Sequence, residues 1–320
     1  VEHALLGEVR PRRYDFAKAE VILSLEADFL GTLGDTVTAI AGYSSRRRPA
    51  SAADGMNRLC VLEGGLSLTG SRADVRLPTR PSALSRIAVG LVRAVHRRCS
   101  GPLPPGMDAS VLDDVPLEGM PEARPLLAQL DALVRDLCAA GPRALVLAGP
   151  SAPPEAHAAS FILNHMLGAV GSTVLPDDTT TAPNLAAPAE MAKLLDEMSG
   201  GRIAAALFWD INPAYDFGPR AGASDGQAWR AALAKVPLRV RLGLLPDETT
   251  AACNVVLPVN HWLESWNDFE ANGGTLTLQQ PVVAPLCDTL QGEDVLLRWL
   301  ADLGRPAEKS YLEFVKARWR

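Results

Sequence analysis

The sequence predicts an α/β protein built from two doubly wound units with mainly parallel sheets. Short apolar runs rich in β-forming residues alternate with segments that repeat apolar residues at helical spacing. Most of the apolar runs end at Gly, Pro, Asp or Asn, which are typical of the turns that follow strands. Such an alternation of strands and helices is characteristic of parallel sheets that carry helices on their faces.

The first hundred residues contain two predicted strands, at 20–26 and 59–63, and one predicted helix. The helix begins at Pro81, because proline is well tolerated in a first helical turn, and it continues to Cys99. The stretch after it is dense in Pro, Gly and Asp, which is typical of a linker. We therefore expect a first α/β unit at 1–100, a linker at 101–122 and a second α/β unit at 123–320.

The second predicted unit repeats the alternation. Helices are predicted at 123–140 and 155–167, and strands at 143–147, 202–209, 236–245 and 255–258. The Gly149-Pro150-Ser151 turn between a strand and a helix is weakly typical of a phosphate loop, although Pro150, Pro153 and Pro154 remove backbone donors. No internal repeat is evident in the sequence.

Polar residues follow two of these strands at the point where an open sheet binds ligands. Asn212 and Pro213 come directly after the strand at 202–209, and a residue before proline is biased away from helix. Asp247, Glu248 and Thr249 follow the strand at 236–245. For the two carboxylates, capping of the next turn is the alternative to ligand contact.

The order of these features resembles the second nucleotide-binding half of the molybdopterin oxidoreductase family. The resemblance rests on a strand, an Asn-Pro loop, a helix, a strand, Asp-Glu-Thr, a Val-Leu-Pro strand, a glutamate and a Gly-Gly turn before Gln-Pro. Longer segments that begin at Tyr14, Met56, His157 and Phe208 resemble the molybdopterin-enzyme-like part of the large iron–sulfur subunit of alternative complex III and related quinone reductase complexes. The likeness runs to the C-terminal SYLEFVKARW and implies two Rossmann-like units.

The resemblance implies where a cofactor would be held. Family members bind the guanine dinucleotide arms of a molybdopterin cofactor on loops of this kind. The matching positions, which we interpret as vestigial cofactor contacts, are Asn212, Pro213, Asp247, Glu248, Thr249, Glu264, Gly273 and Gly274.

The first strand-end loop departs from the family pattern. Active relatives place a Gly-Asn-Pro turn there, whereas this chain continues from the strand into Glu26, Ala27, Asp28 and Phe29. Carboxylates and a bulky ring would then stand where a pyrophosphate needs backbone N–H groups or cations. We expect Glu26, Asp28 and Phe29 to block the site.

The cysteines predict no metal centre. Cys60, Cys99, Cys138, Cys253 and Cys287 are far apart in sequence, whereas an iron–sulfur cluster normally needs ligands a few residues apart. This spacing predicts free, mostly buried thiols. His261, Glu264 and Asp268 are spaced so that they could bind a metal, but packing roles are favoured.

Composition excludes some classes of function. The net charge of −6 argues against nucleic acid binding. No apolar run reaches the roughly 20 residues that span a bilayer, and no targeting segment is visible. The chain begins with Val1 instead of Met, so we expect it to be part of a longer or processed polypeptide.

Two hypotheses follow from the resemblance and the departures. In the first, the chain is a non-catalytic scaffold without a cofactor, on the outer face of the bacterial cytoplasmic membrane. Its partners would be a ferredoxin-like iron–sulfur domain, quinone-binding membrane subunits and cytochrome subunits. In the second, the chain is the molybdopterin guanine dinucleotide domain of a true molybdoenzyme, whose metal ligand and iron–sulfur cluster lie outside this sequence.

Overall fold

The computed structural model describes residues 12–51, 54–107, 110, 116–176, 188–216, 227–271 and 275–320. The chain forms two compact units that divide between residues 182 and 183. Each unit contains a parallel sheet, so the predicted α/β class with mainly parallel sheets is confirmed.

Unit 1 is built on a four-stranded parallel sheet with the strand order β4-β3-β2-β5. Its described strands are β1 (Arg12–Tyr14), β2 (Val21–Leu25), β3 (Arg58–Glu63), β4 (Val75–Pro78), β5 (Ala144–Ala148) and β6 (Val174–Pro176). Its described helices are α1 (Thr36–Ser45), α2 (Leu68–Ser71), α3 (Pro81–Cys99), α4 (Leu127–Ala140) and α5 (Pro154–Met166). Strands β1 and β6 form a separate antiparallel pair.

The sheet of unit 1 is buried on both faces because most positions of its two central strands and of β5 are apolar. Leu23 and Val146 belong to the core cluster that includes helices α3, α4 and α5. Ile22 and Leu145, which point to the opposite face, pack with residues of α1. Burial on both faces is the expected environment of parallel strands.

The division between the units differs from the predicted linker at 101–122. Strand β5, which the prediction assigned to the second unit, pairs in parallel with β2 along its whole length. Leu117, Met120 and Ala123 are buried in the same core as α3 and α4. Their apolar side chains tie this Pro-rich stretch to the core, so it is an integral part of unit 1.

Two of the cysteines form a disulfide, and the prediction of five free thiols was wrong. Cys99 at the end of α3 is bonded to Cys138 in α4, with 5.8 Å between their Cα atoms. Cys60 is free and buried, and burial raises its pKa to about 12. Sequence spacing alone could not reveal the pair, since the two helices meet only through tertiary packing.

Unit 2 contains a three-stranded parallel sheet with the order β7-β8-β9 and an antiparallel hairpin. Its described strands are β7 (Ala205–Trp209), β8 (Leu238–Gly243), β9 (Val255–Pro258), β10 (Asn267–Ala271) and β11 (Thr275–Gln279). Its described helices are α6 (Pro188–Ser199), α7 (Pro213–Asp216), α8 (Gln227–Leu233), α9 (Glu248–Ala252), α10 (Gly292–Asp302) and α11 (Tyr311–Arg318).

Helices cover both faces of the second sheet. Phe208 of β7 packs with Trp229 and Leu233 of α8 on one face. On the other face, Leu242 of β8 lies in a cluster with Val295 of α10. The carboxyl ends of each sheet carry the polar loops that the sequence singled out.

Candidate strand-end sites

The loop after β2 begins with a glutamate in a strained conformation. Glu26 has φ of 55°, a left-handed value that L-residues other than Asn, Asp and Gly seldom adopt. Its backbone N–H donates to the carbonyl of Leu62 at 2.9 Å, and its Oε1 accepts from the N–H of Gly64 at 2.7 Å. The strained turn therefore joins the ends of β2 and β3.

Asp28 is held by a threonine from the neighbouring loop. Its Oδ1 accepts hydrogen bonds from both the N–H and the Oγ1 of Thr69, each at 2.8 Å. Thr69 is fully buried, and its Oγ1 also accepts from the N–H of Leu30 at 3.0 Å. This carboxylate thus locks the first loop to the start of α2.

Phe29 lies in the hydrophobic core, which differs from the expectation that its ring blocks the site. The ring is 1% exposed, stacks on Phe16 at 4.5 Å between centroids, and meets Tyr43 edge-on at 5.8 Å. Backbone direction explains the difference, because Phe29 points away from the edge that Glu26 and Asp28 face.

A cavity of about 390 Å³ lies at this edge of the first sheet and is lined by three carboxylates. They belong to Glu26, Asp28 and Glu63. Glu63 is buried and accepts from Arg76 Nε at 2.6 Å and from Ser67 Oγ at 2.6 Å. Among the described residues that line the cavity there is no lysine or arginine, and although Arg76 pairs with Glu63, the lining is acidic through Glu26 and Asp28.

The Gly149 turn has a packing role at the same edge. Its N–H donates to the carbonyl of Leu25 at 2.9 Å, and a Cβ at this position would collide with the backbone of Glu26. Glycine is needed here for the close approach of two backbones.

The loop after β7 has the same construction with an amide in place of the carboxylate. Asp210 has φ of 47°, and its N–H donates to the carbonyl of Leu242 at 3.0 Å. The Oδ1 of Asn212 accepts from the N–H and Oγ1 of Thr249, at 3.2 and 2.7 Å. The Nδ2 of Asn212 donates to Glu248 at 2.7 Å, so all the polar atoms of this side chain are engaged.

Pro213 and Thr249 complete the second loop. Pro213 is buried at the start of α7, and Thr249 is fully buried. The Oγ1 of Thr249 accepts from the N–H of Ala214 at 3.2 Å, just as Thr69 accepts from Leu30 in unit 1. The two loops therefore share one hydrogen-bonding scheme.

This shared scheme reveals an internal repeat that the sequence did not make evident. Leu62 pairs with Leu77 in the first sheet, and Leu242 pairs with Leu257 in the second, at the same spacing along the chain. The buried Thr69 and Glu63 were missed as site residues. The threonine that precedes both VRLP and VVLP at equal distance was the signal that could have found Thr69.

Asp247 is a helix cap. Its Oδ1 accepts from the N–H of Thr250 at 2.7 Å, and its Oδ2 accepts from the buried Arg241 at 2.8 Å. Burial by itself raises the pKa of Asp247, but the hydrogen bonds from Thr250 and Arg241 outweigh it, and the pKa is lowered overall. The adjacent Glu248 is exposed, and its hydrogen bond from Asn212 lowers its pKa.

We expect Asp247→Asn to lower the free energy of unfolding by about 1–3 kcal/mol at neutral pH, because it removes the charge that faces buried Arg241. A carboxylate with a lowered pKa stabilises the fold above its unfolded pKa of about 3.9, and this contribution is lost as the pH falls through the folded value. The difference between the wild type and the variant should therefore shrink on acidification. Urea unfolding from pH 7 to pH 3 measures it, with the exposed Asp196→Asn as control. A difference that is independent of pH would contradict the expectation.

Glu264, His261 and Asp268 do not converge on one point. Glu264 accepts from the N–H groups of His261 and Leu286, each at 2.9 Å, and these bonds lower its pKa. Asp268 instead accepts from Tyr311 Oη at 3.0 Å; burial, followed by this hydrogen bond, raises the pKa of Tyr311 to about 12.

Gly273 and Gly274 lie outside the described residues. Within the described ranges, no group of three or more His, Cys, Asp or Glu side chains has the arrangement of a metal site. None of the helices that the structure describes is both long enough and apolar enough to cross a membrane.

Comparisons with known proteins agree with this fold. No protein-family profile matches the chain. The menaquinone reductase, molybdopterin-binding-like subunit, of Nitratidesulfovibrio vulgaris is 26% identical over 327 residues, which cover 94% of this chain and 45% of that protein. Acetylene hydratase from Pelobacter acetylenicus matches in structure with a TM-score of 0.59 and 15% identity, over 92% of this chain and 48% of that one.

The chain spans less than half the length of each of these two proteins. The chain is similar in sequence to a molybdopterin-binding-like subunit and in fold to acetylene hydratase. The sequence similarity confirms the predicted resemblance to the molybdopterin oxidoreductase family.

Proposed function

We propose that this chain is a non-catalytic, molybdopterin-oxidoreductase-like scaffold within a membrane-associated respiratory complex of the alternative complex III or menaquinone reductase type. The observation that carries the proposal is the acidic edge of the first sheet, where Glu26, Asp28 and Glu63 line one cavity. The similarity to a subunit of a menaquinone reductase supports the respiratory setting.

A dinucleotide pyrophosphate does not fit this edge. An anion at a loop of this kind needs backbone N–H groups or cations that point toward it. Here the N–H of Gly64 already donates to Glu26, and the N–H of Thr69 already donates to Asp28. A bound phosphate would meet like charge and would have to displace these intramolecular bonds.

The proposed setting includes partners and a location. In this proposal the chain contacts an iron–sulfur ferredoxin-like domain, membrane quinone-binding subunits and cytochrome subunits, which carry the electrons. The complex lies on the outer face of the bacterial cytoplasmic membrane. The Cys99–Cys138 disulfide supports this location, since disulfides persist mainly in oxidising compartments.

One observation favours the alternative, a cofactor domain of a true molybdenum enzyme. The edge of unit 2 keeps the Asn212-Pro213 turn and the order Asp247, Glu248, Thr249 that the family resemblance assigns to cofactor contact. These side chains are nevertheless bonded to one another, through Asn212 with Glu248 and Thr249.

Elemental analysis of the complex purified from its native membrane tests the proposal. We expect no stoichiometric molybdenum in this chain and no pterin fluorescence after acid oxidation. We also expect Asp28→Asn to leave quinone-linked electron transfer unchanged, because an amide oxygen can still accept from Thr69. One molybdenum and one pterin per chain would establish the alternative.

A further inference from the structure

Unit 2 has a group of exposed apolar residues that are not part of its hydrophobic core. All seven residues from 282 to 288 are exposed, and the sequence of this loop is VVAPLCD. Leu286 is 84% exposed, Val282 67% and Val283 45%, and the nearby Trp262 is 62% exposed. We name Trp262, Val282, Val283 and Leu286 the apolar surface. Contiguous exposed apolar residues of this kind are typical of interaction sites.

The loop is fixed in place although it is exposed. Its Val282 N–H donates to the carbonyl of Leu263 at 2.8 Å, and its Leu286 N–H donates to Glu264 Oε1 at 2.9 Å. Beyond the loop, Thr289 Oγ1 donates to Asn260 Oδ1 at 2.7 Å. A loop that is already held in one conformation loses little entropy when it binds, which favours association.

Negative charge near the apolar surface disfavours some kinds of partner. The carboxylate of Glu264 lies at the loop, where it accepts from the N–H of Leu286 at 2.9 Å. Exposed Asp288 belongs to the loop itself. An anionic lipid surface would be repelled by this region, and so would an identical acidic surface on a second copy of the chain.

We propose that the apolar surface is where this chain docks a partner protein that presents apolar side chains bordered by lysine or arginine. The inference rests on the proposed scaffold function and assigns it a contact face. Apolar burial at the centre with opposite charges at the rim is the usual anatomy of a protein interface.

Cys287 provides a native probe, because its free thiol lies exposed beside Leu286. In the purified complex we expect maleimide to label Cys287 at least about tenfold more slowly than a cysteine introduced by Leu303→Cys, a position that is 76% exposed. A photo-cross-linker placed at Leu286 should join a Lys- or Arg-rich segment of another protein. Leu286→Glu and Asp288→Lys should each weaken assembly, whereas the controls Leu303→Glu and Asp196→Lys should not.

Equal labelling of the two cysteines in an intact complex would overturn the inference and leave the scaffold function standing. Cross-linking of Leu286 to lipid or to a second copy would overturn it as well. If the chain instead purifies without partners and with stoichiometric molybdenum, the scaffold function itself fails. Circular dichroism of each variant shows whether it is folded, and so distinguishes a loss of docking from a loss of folding.

Discussion

Phe29→Ala is expected to lower the free energy of unfolding by about 3–5 kcal/mol, the usual cost of truncating a buried phenylalanine. The ring of Phe29 is 1% exposed and contacts the rings of Phe16 and Tyr43. Removing the ring reduces the apolar area that is buried on folding, and it leaves a cavity that these rigid neighbours cannot fill. Urea unfolding followed by circular dichroism measures the change.

Phe269→Ala is the matched control, because Phe269 is 50% exposed and should cost much less. A loss for Phe29→Ala no larger than that of the control would show that the ring is not part of the core. It would also restore the sequence-based interpretation in which Phe29 fills the strand-end cavity.

Replacing both Cys99 and Cys138 by serine is expected to lower the free energy of unfolding by about 2–4 kcal/mol. The bond closes a loop between residues that are 39 positions apart, so its loss frees the unfolded chain more than the folded one. In denaturant unfolding, reductant should lower the free energy of unfolding of the wild type by the same amount. It should leave that of the variant unchanged.

A thiol count gives an independent check of the same bond. Unfolded but unreduced protein should present three thiols, those of Cys60, Cys253 and Cys287. Cys287→Ser is the control, since it removes one thiol without changing stability. Five reactive thiols before reduction would contradict the disulfide.

Several strands and helices could be predicted from the sequence because local signals and packing agree there. The helix from Pro81 to Cys99 was predicted with its observed bounds, since proline fixes its start and the amphipathic pattern fixes its length. The strand at 255–258 was predicted equally well, because its apolar run ends at a proline.

The division into units could not be predicted, because it depends on long-range pairing. Strand β5 lies far from β2 in sequence, and only their hydrogen bonds place it in the first sheet. The Pro and Gly content of 101–122 predicted a linker between the two units. It could not show that Leu117 and Met120 are buried in the core of unit 1.

The strand-end location of the candidate residues could be predicted from the sequence, but their hydrogen-bond partners could not. Residue types located Glu26, Asp28, Asn212 and Asp247 at strand ends, where the structure has them. The partner of each side chain depends on a neighbouring loop, and Thr69 could be found only by comparing its spacing before VRLP with that of Thr249 before VVLP. Whether a side chain faces the cavity, as Asp28 does, or the core, as Phe29 does, depends on the turn itself.

Glu26 and Asp210 open their turns in a left-handed conformation without the help of glycine. A search for nucleotide-type folds that is keyed to glycine-rich signatures will therefore pass over both edges of this chain. Acidic residues in that role offer a different marker for detecting further diverged members of such folds.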